Sequence, residues 1–254
     1  MLPYVTSEIK NHIAYIEFGT PKSNALPGKI LKELAQSIVE QAENPQVKAI
    51  LLRSFGDKAF CAGASFDELL EITNLEKSKA FFGGFAKVLN AMRTCGKIVV
   101  VRVQGKVTGG GVGIACAADY CFAVETASLA LTEINLGIVP FVIGPYVERK
   151  MGISNFTAMS LDANFRSAEW AKANGVYHDV SATIDEMDVA LEKFLSKLSS
   201  RSSDALDAIK KVSWGNTGYF DGLMPDRIGL SAALVLKPEA KESILQIKNQ
   251  LKKT

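Results

Sequence analysis

The chain has 254 residues, with 29 basic against 27 acidic side chains and a formal net charge of +2. This length is enough for one large domain with a substantial apolar core, which excludes a disordered or fibrous protein. Because the charges nearly balance, nothing points to nucleic acid or an anionic membrane as a partner, and any bound anion must be held by a local site.

The N-terminal stretch MLPYVTSEIKNHIAYIEF lacks the charged start, long apolar centre and cleavage site of a secretory signal. No apolar run reaches the ~18 to 20 residues that span a bilayer. The four cysteines have no Cys-x-x-Cys spacing and no accompanying histidines. We interpret them as small apolar residues with reduced thiols, and we expect a cytoplasmic protein without a metal site.

Strands alternate with helices along most of the chain. Short, apolar stretches rich in β-branched residues predict strands over residues 12–18, 47–54, 98–104 and 120–124. Apolar residues at helical spacing predict a helix over residues 29–43 and another from about Phe66 to Met92. This alternation indicates an α/β fold.

After about Ser196 the predicted elements are helices alone, interrupted at residues 215–218 and at Pro238. We therefore predict two regions. Residues 1–196 form a core that binds the ligand and carries the chemistry. Residues 197–254 form a helical region that covers the site and packs against another subunit.

The first stretch with chemical content is SFGDKAFCAGASFDELLEI, which begins at Ser54. Ser65 and Glu68 have the spacing of a helix capping box, which puts Ala62, Gly63 and Ala64 at the start of a helix. Free N–H groups at such a start favour an oxygen that carries negative charge. An ordinary turn between a strand and a helix is the alternative interpretation.

The second stretch is VTGGGVGIACAAD, at residues 107–119. Its successive glycines allow the backbone to approach another atom closely. It lacks the lysine of a P-loop, and Cys116 stands at the last glycine position of a dinucleotide-binding motif, so neither nucleotide site is supported. We interpret it as a second group of N–H donors, which would complete an oxyanion hole if the fold brings it beside Ala64.

The third stretch, ASLALTEINLGIVPFVIG at residues 127–144, contains Glu133. This is the only charged residue between Glu125 and Glu148, and its neighbours are apolar. A carboxylate in such surroundings is a candidate for the raised pKa that a general acid or base needs at neutral pH. An exposed glutamate or a structural ion pair is the alternative.

Together with SAEWAKANGVYHDV at residues 167–180, these stretches resemble in order and spacing the enoyl-CoA hydratase/isomerase, or crotonase, superfamily. The resemblance covers essentially the whole chain. It implies an α/β, crotonase-like spiral of repeated β-β-α units with a C-terminal helical appendage. It also implies homotrimers or hexamers and acyl-CoA substrates, with no separate cofactor. In this family two N–H groups, here those of Ala64 and Gly110, hold the thioester oxygen while an enolate forms.

By the same resemblance, the CoA moiety lies near residues 22–26 and 60–62. The contacts that this implies are Lys22, Ala25, Leu26, Phe60 and Ala62. Lys248 or Lys252 would meet the phosphates, in one alternative from a neighbouring subunit. The other interpretation of these two lysines is a solvated helix face.

Gly113 and Thr132 depart from the pattern of the hydratases in the family. In those enzymes the second motif resembles GGGxE and the third resembles PEI or PEL. Two glutamates, one from each motif, hold and activate a water molecule. Here Gly113 replaces the first glutamate, and Thr132 replaces the proline before Glu133. The 3,2-enoyl-CoA isomerases resemble this chain more closely, because they also use one carboxylate at the Glu133 position to move a proton between C2 and C4.

Several alternatives stay open at this point. Asp67, Glu68 and Glu71 are candidates to replace the missing carboxylate, although capping and solvation are simpler roles for them. Phe141 is a candidate to narrow the acyl pocket, or else a packing residue. We expect double-bond isomerisation by an enzyme in which Glu133 is both acid and base. The alternatives are a hydratase, including one of the methylglutaconyl-CoA type, and a catalytically weak acyl-CoA-binding or scaffold protein.

Overall fold

The computed structural model describes residues 1–251, which form ten strands and ten α-helices. The strands are β1 (Tyr4–Lys10), β2 (Ile13–Gly19), β3 (Ala49–Ser54), β4 (Ala59–Cys61), β5 (Ile98–Val103), β6 (Lys106–Thr108), β7 (Tyr120–Val124), β8 (Ser128–Ala130), β9 (Arg166–Ser167) and β10 (Asp179–Ser181). The helices are α1 (Gly28–Glu43), α2 (Phe66–Glu71), α3 (Leu75–Thr94), α4 (Gly110–Ala117), α5 (Gly144–Asp162), α6 (Ala168–Ala173), α7 (Ile184–Ser199), α8 (Ser203–Trp214), α9 (Tyr219–Leu234) and α10 (Pro238–Leu251). Short 3-10 helices lie at Glu133–Leu136 and Gly215–Thr217.

The larger sheet has six strands in the order β1-β2-β3-β5-β7-β10. β1 and β2 form an antiparallel pair, and the remaining neighbours run parallel. β3 and β5 read AILLRS and IVVVRV, and nearly every residue in them is buried. Continuous apolar runs of this kind are typical of parallel strands that are covered on both faces. The predicted α/β class is therefore confirmed.

The smaller sheet has the order β4-β6-β8-β9, and its first three strands run parallel. β4, β6 and β8 each follow a strand of the larger sheet after a short turn, and each leads into a helix. The chain thus repeats one β-β-α unit. Because the carboxyl ends of parallel neighbours lie at one edge of a sheet, the loops after β4, β6 and β8 come together.

The prediction of one helix from Phe66 to Met92 was wrong, because the structure has α2 and α3 there, with a break at residues 72–74. Asn74 precedes α3, and its side-chain oxygen accepts a hydrogen bond from the N–H of Lys77 at 2.9 Å. This capping interaction starts a new helix. The apolar spacing continues across the break, so periodicity alone does not reveal it.

From α7 to residue 251 the chain is helical. α8 is fixed to the core by a buried network in which Lys210 and Trp214 donate to Asp119 at 2.6 and 2.7 Å. The predicted boundary at residue 196 falls inside α7. The separate roles of the two regions, catalysis in the first and coverage of the site and subunit packing in the second, stay predictions. None of the helices within residues 1–251 has the length and apolar character needed to cross a membrane.

Candidate active site

A cavity of about 470 Å³ lies where the loops after β4, β6 and β8 meet. Much of its wall is apolar, including Phe66, Phe82, Phe85, Leu136, Ile138, Val139, Pro140, Val142, Ile143, Phe165 and Ile247. The polar side chains in the wall are Ser23, Lys106, Thr108, Thr132, Glu133 and Asn135. A largely apolar cavity with a few polar groups is typical of a small-molecule site.

Two glycine-containing loops approach each other at this cavity. A Cβ atom on Gly63 would lie 3.5 Å from the amide nitrogen of Gly110 and 3.0 Å from the carbonyl oxygen of Thr108. Gly63 and Gly109 have φ values of 79° and 53°, which favour glycine. The fold therefore brings the Ala64 loop beside the Gly110 loop, as an oxyanion hole would require.

The N–H groups of Ala64 and Gly110 donate no hydrogen bond within residues 1–251. Gly110 is the first residue of α4, so its N–H has no acceptor in the helix. The prediction of a free N–H group at Ala62 was wrong, because this group donates a hydrogen bond to the carbonyl oxygen of Ser23 at 3.1 Å. Two free donors in a mostly apolar cavity can stabilise an oxygen that gains negative charge.

Phe85 packs against the Gly110 backbone. A Cβ atom on Gly110 would lie 2.1 Å from Cε1 of Phe85, so a side chain at this position would displace the ring. The contact joins α3 to the start of α4. Sequence reasoning missed Phe85, since no local pattern distinguishes it from the other phenylalanines of α3.

Glu133 follows β8 and begins a 3-10 helix. A Cβ atom on Gly109 would lie 3.0 Å from Oε1 of Glu133, so the carboxylate lies directly against the second donor loop. Its Oε2 atom is buried, with no hydrogen-bond partner in the described part of the chain. Burial raises the pKa of Glu133 to about 7, because the charged form loses hydration. Such a group can accept and return a proton near neutral pH.

Ile143 occupies the space next to Gly113. A Cβ atom on Gly113 would lie 2.5 Å from Cγ2 of Ile143 and 3.4 Å from Cδ1 of Leu89. A glutamate at this position would therefore clash with packed apolar side chains. Among the described residues, Glu133 is the only carboxylate in the cavity wall.

Asp67, Glu68 and Glu71 do not line the cavity. Asp67 forms ion pairs with Lys22 and Lys248, which hold the pKa of its carboxyl at about 2. Glu71 is exposed. None of the three carboxylates supplies the group that Gly113 lacks.

Ser65 is the N-cap of α2, since its hydroxyl accepts from the N–H of Glu68 at 3.5 Å. The second hydrogen bond of the predicted capping box, from the N–H of Ser65 to the Glu68 carboxylate, is absent, because this N–H donates to the carbonyl oxygen of Leu26. The carboxylate of Glu68 instead accepts from the N–H of Gly28 at 2.6 Å, at the start of α1. This bond connects α2 to α1 and gives Glu68 a structural role.

Segment 22–26 runs beside the first donor loop, where the N–H of Leu26 donates to the carbonyl oxygen of Gly63 at 2.8 Å. Ala62 lines the cavity. The side chains of Leu26 and Phe60 are fully buried in the core, so they hold the loop rather than face the cavity.

Lys22 is exposed beside this loop, and the N–H of Ala25 donates to its carbonyl oxygen at 3.0 Å. Contact of residues 22–26 and 60–62 with CoA stays a prediction, and Lys252 lies outside the described residues.

Neither Phe141 nor Cys61 supplies a reactive group at the cavity. Phe141 is half-buried, its ring lies 5.2 Å from the guanidinium carbon of Arg227, and it does not line the cavity. Cys61 lines the cavity, but burial raises the pKa of its thiol to about 12, which makes it a poor nucleophile. No cluster of three or more His, Cys, Asp or Glu residues in the described chain could hold a metal ion.

The family model for enoyl-CoA hydratase/isomerase matches residues 8–216. The short-chain-enoyl-CoA hydratase of Clostridium acetobutylicum is 30% identical over 82% of this chain and 80% of its own length. The carnitinyl-CoA dehydratase of Salmonella paratyphi B is 30% identical, with 79% and 76% covered. The chain therefore belongs to the enoyl-CoA hydratase/isomerase family.

A solved structure of an enoyl-CoA hydratase from Bacillus halodurans matches the fold with a TM-score of 0.89. The match covers 96% of this chain and 99% of that chain at 21% sequence identity. At this level of identity the likeness concerns the fold alone. It confirms the predicted crotonase-like α/β architecture with C-terminal helices.

Proposed function

We propose that this protein isomerises the double bond of an unsaturated acyl-CoA, with Glu133 as the single acid and base. The observation that carries the proposal is the position of one buried carboxylate beside two free N–H groups. Ala64 and Gly110 bind the thioester oxygen. The apolar wall accommodates the acyl chain.

The reaction begins when Ala64 and Gly110 polarise the thioester carbonyl of a 3-enoyl group. Glu133 removes a proton from C2, and the electrons of that C–H bond pass into a dienolate whose oxygen is held by the two N–H groups. Each such donor contributes ~10²- to 10³-fold in rate. The protonated Glu133 then returns the proton to C4. The double bond has thereby moved from C3–C4 to C2–C3, and no water is consumed.

The pKa of Glu133, about 7, suits both halves of this cycle. At neutral pH the carboxylate is available as a base, and the acid that it forms is strong enough to return the proton. No second titratable group is needed.

A hydratase needs a further group that holds and activates water. In the described part of the cavity wall no second carboxylate is available, and Ile143 and Leu89 pack around Gly113. Loss of one acid–base group lowers a rate by ~10²- to 10⁴-fold. These contacts favour isomerisation over hydration.

The test is to incubate the protein with a 2-enoyl-CoA and a 3-enoyl-CoA and to determine product mass and double-bond position. We expect a shifted bond without a change in mass. A gain of one water would support the hydratase instead, and binding without conversion would support an acyl-CoA-binding protein.

The matched variants are Glu133→Gln and Glu125→Gln. We expect Glu133→Gln to bind the thioester but to lose ~10³-fold or more of its turnover. The exposed Glu125, the first residue after β7, controls for the change from Glu to Gln. Undiminished turnover in Glu133→Gln would contradict the mechanism.

A further inference from the structure

The Ala64 donor is attached to a very short helix. α2 has six residues and begins at Phe66, directly after the Ser65 cap. A helix of this length is not stable by itself, so its place depends on its tertiary contacts. The position of the Ala64 N–H therefore depends on what holds α2.

Lys241 of α10 binds the C-terminal end of α2. Its ammonium group donates to the carbonyl oxygens of Leu69, of Leu70 at 3.3 Å and of Ile72 at 2.7 Å. A helix leaves its last carbonyl groups without partners in the helix, and a cation there is stabilising. Lys241 is half-buried, and burial lowers the pKa of its ammonium group.

The same helix also contacts the other end of α2 and the element that carries the base. Lys248 lies two turns after Lys241 and forms an ion pair with Asp67 at 2.6 Å. Ala240 packs against Gly137, where a Cβ atom would lie 3.3 Å from the Cα of Ala240. Gly137 ends the 3-10 helix that begins with Glu133. α10 thus touches both elements that bring the oxyanion donor and the base together.

We propose that Lys241 is a positioning residue that keeps the Ala64 N–H aligned with the Gly110 N–H by holding α2 from its C-terminal end. This inference rests on the proposed function. Without the ammonium group, α2 loses the partner of its last carbonyl groups and can shift along α10. A misplacement of ~1 Å at a reacting centre costs up to ~10²-fold in rate.

The kinetic test compares Lys241→Met, Lys241→Arg and Lys237→Met. Met keeps the length of the side chain but removes its donors, Arg restores a cationic donor, and exposed Lys237 controls for the lost charge. We expect Lys241→Met to lower kcat by about tenfold with less than a twofold change in KM, and Arg to restore most of kcat. Lys237→Met keeps the original kcat.

A spectroscopic readout separates alignment of the donors from folding. 4-Dimethylaminocinnamoyl-CoA is a donor–acceptor thioester whose absorption moves to longer wavelength when hydrogen bonds polarise its carbonyl. We expect a smaller shift with Lys241→Met than with the original chain, and a restored shift with Lys241→Arg. If Lys241→Met does not fold, Lys241→Gln, which keeps a neutral donor, is measured in its place.

The possible failures are distinguishable. If the original chain binds the probe without any shift, the oxyanion hole of the proposed function is wrong, and the role of Lys241 falls with it. If the original chain shifts the probe and Lys241→Met shifts it equally, only the role of Lys241 is overturned. A lower melting temperature with full kcat per folded molecule also overturns it, because Lys241 would then be structural alone.

Discussion

The two sides of the cavity differ in what they offer a substrate. One side has the free N–H groups of Ala64 and Gly110 and the buried carboxylate of Glu133. The other side is represented by Ile143, which lines the cavity and, together with Leu89 behind it, fills the space next to Gly113. The first side can stabilise negative charge and move a proton, whereas Ile143 and Leu89 carry no polar group that could orient water.

Under the proposed function, this difference would let one fold change its reaction while its backbone architecture stays the same. The β-β-α repeat brings three loops to one edge of the smaller sheet, and these loops supply the donors and the base. The side chain that fills the space next to Gly113, that of Ile143, comes from a different element, the residue directly before α5. Because Ile143 lies there, the apolar side can change independently of the donors.

After that of Glu133→Gln, the largest expected effect is on the polar side, from Gly109→Ala. Gly109 has a φ of 53°, and a Cβ atom would lie 3.0 Å from Oε1 of Glu133, so alanine strains the loop and moves both the Gly110 donor and the base. We expect kcat to fall by ~10²- to 10³-fold. Steady-state kinetics with a 3-enoyl-CoA measures this.

Gly56→Ala is the matched control, because Gly56 also has a positive φ, 77°, but has open space around it. If the kcat of Gly109→Ala equals that of the original chain, the close packing of the Gly109 loop against Glu133 has no catalytic importance.

The apolar side can be converted by Gly113→Glu combined with Ile143→Gly. The second change removes the Cγ2 and Cβ atoms that would clash with the new side chain. We expect the double variant to add water to a 2-enoyl-CoA ~10²-fold faster than Ile143→Gly alone. Mass spectrometry of the product measures the added water.

Gly113→Glu alone is expected to be less stable by ~1 to 3 kcal/mol, because the core around Ile143 is overpacked. Equal hydration by the double variant and by Ile143→Gly would show that the missing carboxylate does not limit the reaction.

Local sequence patterns mark the residues of the polar side, whereas no local pattern marks those of the apolar side. Ala64, Gly110 and Glu133 belong to local patterns, and each pattern follows a strand of the smaller sheet. Whether the patterns meet depends on β4, β6 and β8, which have three residues each and are too short to show alternation. The structure supplies this juxtaposition.

The apolar side depends on contacts between residues far apart in the chain. Sequence reasoning considered Phe141 as the residue that shapes the pocket, whereas Ile143, two residues later, lines it. Which of the two faces the cavity follows from the start of α5, and no local pattern distinguishes them. Lys241 was missed for the same reason, since its carbonyl partners are about 170 residues earlier.

The pH profile tests the base on the polar side with a moderate effect. The pKa of Glu133 is about 7, and the proton is removed by its ionised form. We expect the isomerisation kcat/KM to increase about tenfold between pH 6 and pH 8 and then to level off. A flat profile over this range would mean that another group removes the proton.

The last expected effect concerns stability rather than rate, and it shows what burial of the Glu133 carboxylate costs. The pKa of Glu133 in the folded chain is raised from 4.5 to about 7, so folding opposes its ionisation. The unfolded chain releases this proton at lower pH, and the folded state therefore loses stability as the pH rises from about 4.5 to about 7. Glu133→Gln removes the charge and with it this loss.

We therefore expect Glu133→Gln to match the original chain at pH 4.5 and to be more stable at pH 8, by about 3 kcal/mol in denaturant unfolding. Glu125→Gln, at an exposed site, is expected to change stability equally little at both pH values. If Glu133→Gln is not stabilised at pH 8, the carboxylate has a partner in solution. The contrast between a charged and an apolar side of the cavity would then be smaller, because a paired carboxylate is a weaker base.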